Sequence, residues 1–274
     1  MNEQKLILKK DVKYYLTESL QFYKQKSQVV VALLFTLLVA SFLLIELWDN
    51  YLLKQVFGSS DIATVSNQLL DIARRSSYEE LINFFSPNAD LFAYTFVFSL
   101  AAFVIKFFIV YIYASVVLKD YRPKLEIAEK KFFTLSKVCK TFIAFLLYEM
   151  LVAIISGGIF YIIFMYFILL RLMMYLPSIL DGDRGTLQSF SKSSEYSKYG
   201  GVPFKAVVSM FFSILLLILF VCLGLSFLDN TNIYIAVTMF LEAATTFMTV
   251  KLSIILYYDI KVSLITDYGL NDNN

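Results

Sequence analysis

The sequence predicts an all-α integral membrane protein, a polytopic bundle of six transmembrane helices with amphipathic interfacial helices. Hydrophobic residues make up 59% of the 274 positions, and the mean hydropathy is +0.69. This is more apolar material than a soluble domain of this length buries in one core. The apolar residues also fall in runs of about 20, which is long enough for a helix to cross a hydrocarbon layer roughly 30 Å thick.

The six predicted spans form one membrane domain over residues 29–258. They cover residues 29–48, 92–117, 138–156, 159–179, 204–227 and 233–258. The boundary between the third and fourth spans is Ser156-Gly157-Gly158, which we interpret as a tight turn. Because neighbouring helices can accommodate glycine within a span, one long kinked helix is the alternative at this point.

The basic residues predict the orientation of the chain. The segments 1–28, 118–140, 171–205 and 259–274 hold 19 of the 24 Lys and Arg residues. Basic residues are retained on the cytoplasmic side of a membrane, so both termini are expected in the cytoplasm, with 259–274 as a tail. The first apolar run follows 28 largely polar residues and has no small-residue cleavage pattern, so it is expected to be an anchor.

The segments between the spans are expected to carry helices of their own. Residues 1–28 predict a cytoplasmic amphipathic helix whose common face holds Leu8, Val12, Tyr15, Ser19 and Phe22. Such a helix is a surface collar on an anionic leaflet or, alternatively, a partner-binding or lipid-sensing element. Residues 118–137 and 181–203 are predicted to be cytoplasmic interfacial segments.

Residues 49–91 are predicted to form an extracytoplasmic helical lid. Within it, Ser77-x-x-Glu80 is the pattern of a capping box that opens a short helix. The lid either packs as a cap on the outer ends of the spans or binds an external peptide or protein.

The last predicted span carries a polar stripe. At 100° per residue, one helical face holds Thr238, Glu242, Thr245, Thr246, Thr249 and Ser253. Lys251 falls on the opposite side and is expected to reach the headgroups beside Tyr257, Tyr258 and Lys261.

Two further charges lie inside predicted spans, Lys106 in the second and Glu149 in the third. An unpaired charge near the bilayer centre costs at least a few kcal/mol, so such groups face the bundle interior and find partners. We therefore expect Lys106 to pair with Glu242, with Glu149 nearby. The cluster is either a polar pathway or pocket for a small polar group or lipid headgroup, or a packing seam of small and hydroxyl side chains.

Several functions lack the residues that they require. The chain has no histidine, which excludes a Ser-His-Asp triad, a histidine metal site and the HExxH motif. It has neither GxGxxG nor GxxxxGK[ST], and its basic residues are explained by topology and not by nucleic acid. Cys139 and Cys222 match no disulfide or metal spacing. We expect no cofactor, no metal, no nucleic-acid partner and no intrinsic enzymatic activity.

The stretch after the fourth span is the most distinctive in the chain. It runs Pro177-Ser178-Ile179-Leu180-Asp181-Gly182-Asp183 and continues TLQSFSKSSEYSKYGG, in which Asp183 is a candidate helix cap. On its own it is compatible with a simple interfacial connector. The order of a proline, an acidic turn, a serine-rich helix and a glycine nevertheless resembles bacterial polytopic membrane proteins related to the membrane domain of some glycerophosphodiester phosphodiesterases.

In those proteins a Pro-x-Ile/Leu-x-Asp/Glu turn is followed by a helix of the form aLxxSxxLxKG. The matching positions here are Pro177, Asp181, Leu187, Ser191 or Ser194, Lys198 and Gly200. The resemblance covers about 30 residues and implies a bacterial cytoplasmic-membrane protein in envelope or lipid handling. The soluble phosphodiesterase domain is not present in this sequence, so hydrolysis is not implied.

Three classes of function follow. The first is a non-enzymatic envelope or lipid-handling protein, for which membrane lipids are the partner. The second is a transporter, or the permease subunit of an ABC-type exporter with a separate ATPase. The third is a bacteriocin-immunity or sensor protein that meets an extracytoplasmic peptide through the lid.

Overall fold

The computed structural model describes residues 8, 10–58, 71, 86–121, 133–156, 161–182, 185–225 and 231–268. Their secondary structure is helical, with no strand in these ranges. The helices are α1 (Val12–Leu20), α2 (Gln28–Phe57), α3 (Ala89–Tyr121, preceded by a single 3-10 turn at Ser86–Asn88), α4 (Leu135–Ser156), α5 (Tyr161–Leu172), α6 (Tyr175–Asp181), α7 (Thr186–Tyr199), α8 (Gly201–Leu225) and α9 (Thr231–Tyr268). Most of the predicted lid, the centre of segment 118–137, Asp183 and the Gly157-Gly158 boundary lie outside the described residues.

Five helical stretches in the described part are long and apolar enough to cross a membrane. They are Gln28–Val56, Ser86–Tyr121, Ile162–Asp181, Gly201–Leu225 and Ile233–Ile265. These stretches make the chain a multi-pass membrane protein with an all-α fold. The predicted third span is helical as α4, but α4 is not among the five and carries Lys137, Lys140 and Glu149.

Burial is concentrated at one end of the bundle. Buried residues occupy the first half of α2, from Val31 to Phe42, and the later part of α3, from Ala102 to Leu118. They also occupy the start of α8 and the later part of α9. Because these helices alternate in direction, the four buried segments meet at the same end. At the opposite end, apolar side chains such as Phe96 and Leu217 are exposed.

The short helix α1 closes this packed end. The Tyr15 hydroxyl donates to the Asp259 carboxylate at 2.9 Å, and the Tyr113 hydroxyl donates to the carbonyl of Phe22 at 3.0 Å. Burial of Tyr15, together with the charge of Asp259, raises the pKa of its phenol well above the usual value. The helix that we predicted from residues 1–28 therefore has its Tyr15 face inserted among the ends of the other helices.

Lys251 does not reach outward as expected. Its side chain is only 1% exposed, and its Nζ donates to the carbonyl of Gln21 at 2.9 Å and lies 3.4 Å from Oε2 of Glu18. The expectation that it extends to the headgroups was wrong because Glu18 in α1 supplies a carboxylate and Gln21, just after α1, supplies a carbonyl at this position. Lys261 and Tyr257 are buried as well.

The predicted fourth span is broken into α5 and α6 at Met173-Met174. Pro177 explains the break, since proline has no N–H to donate to the carbonyl four residues back and its ring clashes with that carbonyl. The Ser193 hydroxyl of α7 supplies hydrogen bonds to other backbone groups at the break. It donates to the carbonyl of Arg171 at 2.9 Å and accepts from the amide of Met174 at 3.1 Å.

Helix α7 packs against the break and is followed directly by α8. Its amino end is capped at Gly185, whose amide donates to Oε1 of Gln188 at 3.1 Å. Its carboxyl end reaches Gly200, and Gly201 then takes a left-handed φ of 59°, which favours glycine. A Cβ at Gly200 would lie 2.5 Å from Cβ of Phe204, so the close packing of α7 on α8 requires glycine there.

Candidate intramembrane binding site

The polar stripe of α9 lies along two cavities between helices. The hydroxyls of Thr245 and Thr246 both donate to the carbonyl of Glu242 at 2.9 Å, and that of Thr249 donates to the carbonyl of Thr245 at 2.7 Å. A hydroxyl whose hydrogen is bound within its own helix still has lone pairs that can accept. The stripe therefore presents hydrogen-bond acceptors to the two cavities.

An ion pair joins Lys106 of α3 to Glu149 of α4. Lys106 Nζ lies 2.9 Å from Oε1 of Glu149, and both side chains are mostly buried. We expected Lys106 to pair with Glu242, with Glu149 nearby. In the structure Glu149 is the direct partner of Lys106. The Glu242 charge still acts electrostatically together with those of Lys106, Glu149 and Glu46, which places four charged groups in one region.

The first cavity, which we call the polar cavity, has a volume of about 200 Å³. Its charged and hydroxyl-bearing lining consists of Lys106, Glu149, Tyr148, Tyr175, Thr245, Thr246, Thr249 and Ser253. The rings of Tyr148 and Tyr175 are stacked with centroids 5.1 Å apart and form an aromatic wall. Met173, at the helix break, also lines the cavity.

The second cavity, which we call the Glu242 cleft, has a volume of about 430 Å³ and lies between α5, α8 and α9. Its lining is apolar apart from Thr238, Glu242, Thr245 and Cys222. The Thr238 hydroxyl is a buried atom without a hydrogen-bond partner in the described part of the chain. Thr245 lines both cavities, so they lie on either side of one position of the stripe.

A third polar cluster surrounds Asp181 at the end of α6. This carboxylate is 1% exposed and accepts from the hydroxyls of Tyr257 at 3.1 Å and Tyr258 at 3.3 Å. Lys261 donates to it at 2.5 Å and is itself 4% exposed. Next to it, Lys137 of α4 donates to the carbonyl of Leu180 at 3.2 Å. The cluster holds α6 against α9 and α4, so its role is structural.

The residues of the predicted interfacial motif do not converge on one site. Pro177 lies inside α6 and Asp181 at its end, whereas Ser191 and Lys198 are exposed on α7. Ser194 accepts from Arg171 Nη1 at 3.4 Å, Gly200 is buried, and Asp183 lies outside the described residues.

The buried serines of α7 are not the ones that we predicted as motif residues. Ser189, Ser193 and Ser197 are buried at intervals of four residues. This spacing is readable in the sequence as one helical face. Sequence reasoning also missed the partners of Asp181, because a distance of about 80 residues along the chain gives no pairing signal.

A scan against protein-family models and searches of curated proteins and solved structures found no match to this chain. The site is therefore interpreted from its geometry alone. Within the described ranges, no three His, Cys, Asp or Glu side chains are grouped as metal ligands. The geometry provides a charge-balanced ion pair, hydroxyl acceptors and an aromatic wall in a cavity between helices, which is suited to holding a polar group.

Proposed function

We propose that this chain is a non-enzymatic protein of a bacterial cytoplasmic membrane that binds the headgroup of a lipid in its polar cavity. The proposal includes six crossings with both termini in the cytoplasm. They are the five apolar stretches and α4, which is the third crossing along the chain. The resemblance around Pro177 and Asp181 to membrane domains of glycerophosphodiester phosphodiesterases supports a role in envelope or lipid handling.

The observation that carries the proposal is the Lys106–Glu149 ion pair facing a cavity among apolar helices. A packing seam has no need of a cavity, and two charges are expensive to bury. At about 200 Å³ the cavity is smaller than the roughly 300–1,000 Å³ of sites that enclose a whole drug-sized ligand. It therefore suits a headgroup whose acyl chains remain outside.

The charges also limit the type of headgroup. Lys106 is already neutralised by Glu149, and the carboxylates of Glu242 and Glu46 act in the same region. An added anion would meet an excess of negative charge. A zwitterionic headgroup or an uncharged polar headgroup fits this balance, with its donors toward the threonine oxygens.

Native purification followed by mass spectrometry of bound lipid tests the proposal. The test variant is the double substitution Lys106→Met with Glu149→Gln, which removes both charges and leaves neither unpaired. We expect the wild-type chain to carry lipid at near one-to-one ratio and the double variant to lose it. The matched control replaces the surface pair as Lys192→Met with Glu195→Gln and should keep the lipid. Equal lipid content in all three proteins would refute the proposal.

A second candidate is a transporter or the permease subunit of an exporter. The helix break at Met173-Met174 supports it, because discontinuous helices form the substrate sites of many transporters. Met173 also lines the polar cavity. Co-purification of an ATPase in stoichiometric amount would favour this candidate over the first. Its absence, together with bound lipid, would favour lipid binding.

A further inference from the structure

The Glu242 cleft places one carboxylate in apolar surroundings. Glu242 is exposed to the cleft, and its apolar neighbours come from three helices. They include Ile162, Met165, Leu169, Phe212, Leu216 and Leu219. The volume of about 430 Å³ lies within the roughly 300–1,000 Å³ of small-molecule sites. The cleft can thus hold a ligand with a substantial hydrocarbon part.

The carboxylate of Glu242 has no counter-charge of its own within the described residues. The ammonium of Lys106 lies 2.9 Å from Glu149, which is therefore its direct partner. The other charges that act on Glu242 are the carboxylates of Glu149 and Glu46. When Glu242 is ionised, one cation among three carboxylates leaves an excess of negative charge. Because a carboxylate is costly in hydrocarbon, a cation supplied from outside would lower that cost.

The hydrogen-bonding groups of the cleft select the same kind of ligand. Thr245 lines the cleft and has already donated its hydrogen to the carbonyl of Glu242. It therefore offers only lone pairs, as does the carboxylate, while the buried Thr238 hydroxyl has no partner in the described ranges. A ligand with N–H donors satisfies the acceptors of Glu242 and Thr245, and the Thr238 hydroxyl can accept from it as well. An anion could bind only the Thr238 O–H and would be repelled by the carboxylate.

We propose that the Glu242 cleft binds an amphiphilic ammonium ion, with its N–H groups on Glu242 and Thr245 and its hydrocarbon tail along α5 and α8. The source of the ammonium is either an aminolipid headgroup or a free long-chain amine, since both present the same chemistry. The inference goes beyond the proposed function because it concerns a different cavity and does not require the Lys106–Glu149 pair.

Native mass spectrometry of the chain in neutral maltoside micelles tests the inference with two probes. Dodecylammonium and dodecanoate share their tail and differ in the sign of the headgroup charge. We expect dodecylammonium to bind and dodecanoate not to bind. Loss of one charge-assisted contact corresponds to about 10- to 100-fold in affinity, so Glu242→Gln should weaken binding of dodecylammonium by that factor. Equal binding of the two probes, or unchanged binding to Glu242→Gln, would overturn the inference.

The double variant Lys106→Met with Glu149→Gln separates this inference from the proposed function. It should lose headgroup binding in the polar cavity and still bind dodecylammonium. If it binds both, the proposed function fails and the inference stands. If the double variant and Glu242→Gln both bind dodecylammonium as the wild type does, the inference fails.

Cys222 provides a second measurement that needs no change at Glu242. It lines the cleft, and a Cys139→Ser background leaves it as the single thiol. Dodecylammonium should slow its reaction with N-ethylmaleimide, and dodecanoate should not. An equal rate with and without dodecylammonium would contradict the inference.

Added phosphatidylethanolamine distinguishes the two sources. Displacement of dodecylammonium indicates an aminolipid in the cleft, and retention of dodecylammonium indicates a free amine. Both results require the ammonium site.

Discussion

Removing the Asp181 carboxylate should be among the most damaging single changes in this protein. In Asp181→Asn, the Lys261 ammonium keeps its charge in a place where it is 4% exposed, and its direct carboxylate partner is lost. Removing one partner of a buried ion pair lowers the free energy of unfolding by about 3–5 kcal/mol. The hydroxyls of Tyr257 and Tyr258 donate to different oxygens of Asp181, so only one of them keeps an oxygen acceptor in the asparagine variant, and the other faces the amide NH2 group. This adds to the loss.

The assay is the free energy of unfolding in mixed micelles, measured for a double-mutant cycle. Asp181→Asn and Lys261→Met should each cost about 3–5 kcal/mol, and the double variant should cost much less than their sum, because it removes both charges of the pair. The comparison pair is Lys192 and Glu195 on α7, with exposures of 19% and 42%, where about 0–1 kcal/mol is expected. Additive losses at Asp181 and Lys261, or a loss no larger than at the α7 pair, would refute the reasoning.

Three further outcomes are expected from the same unfolding measurements. Stability should fall as pH rises above about 10, the usual pKa of tyrosine. The phenol of Tyr15 ionises there in the unfolded chain, whereas its raised pKa keeps it protonated in the folded chain. Tyr15→Phe should therefore make the fall shallower. Ser193→Ala should cost about 1–3 kcal/mol by leaving backbone groups at the helix break unpaired, whereas Ser197→Ala, which loses a bond within its own helix, should cost less. Gly200→Ala should cost about 1–3 kcal/mol, because the added Cβ would clash with Phe204. Gly224 has open space around it, so Gly224→Ala should be neutral or stabilising. The opposite order would contradict the packing argument.

The fold class was predictable because it depends on composition and on the length of apolar runs. Those signals are local, and the helices α2, α3, α8 and α9 overlap the predicted spans closely. The break at Met173-Met174 is also a local effect of Pro177. We nevertheless placed that proline at the end of a span, since a sequence does not show whether a neighbouring group can supply hydrogen bonds to the backbone at a break. Ser193 does so here.

The site was predictable in part. The face of α9 that holds Thr245 and Glu242 follows from helical periodicity, and the structure places it along cavities between helices. The partner of Lys106 did not follow, because the choice between Glu149 and Glu242 depends on how α4 packs. Lys251 was missed for the same reason, since its partner lies 230 residues away in the segment after α1.

Burial decreases along the bundle away from the end closed by α1, and this determines from which side a ligand can reach a cavity. The end closed by α1 is dense: Tyr15 and Tyr113 are fully buried there, and Lys251 is held by Glu18 and Gln21. Entry from that end would require separating a buried charge from its partners, which costs several kcal/mol. The Glu242 cleft instead lies between α5, α8 and α9, and much of α8 has exposed apolar side chains. Molecules that partition into hydrocarbon reach such a cleft sideways, between helices. Lipids and amphiphilic amines both have that property, whereas a water-soluble ligand of the same charge does not.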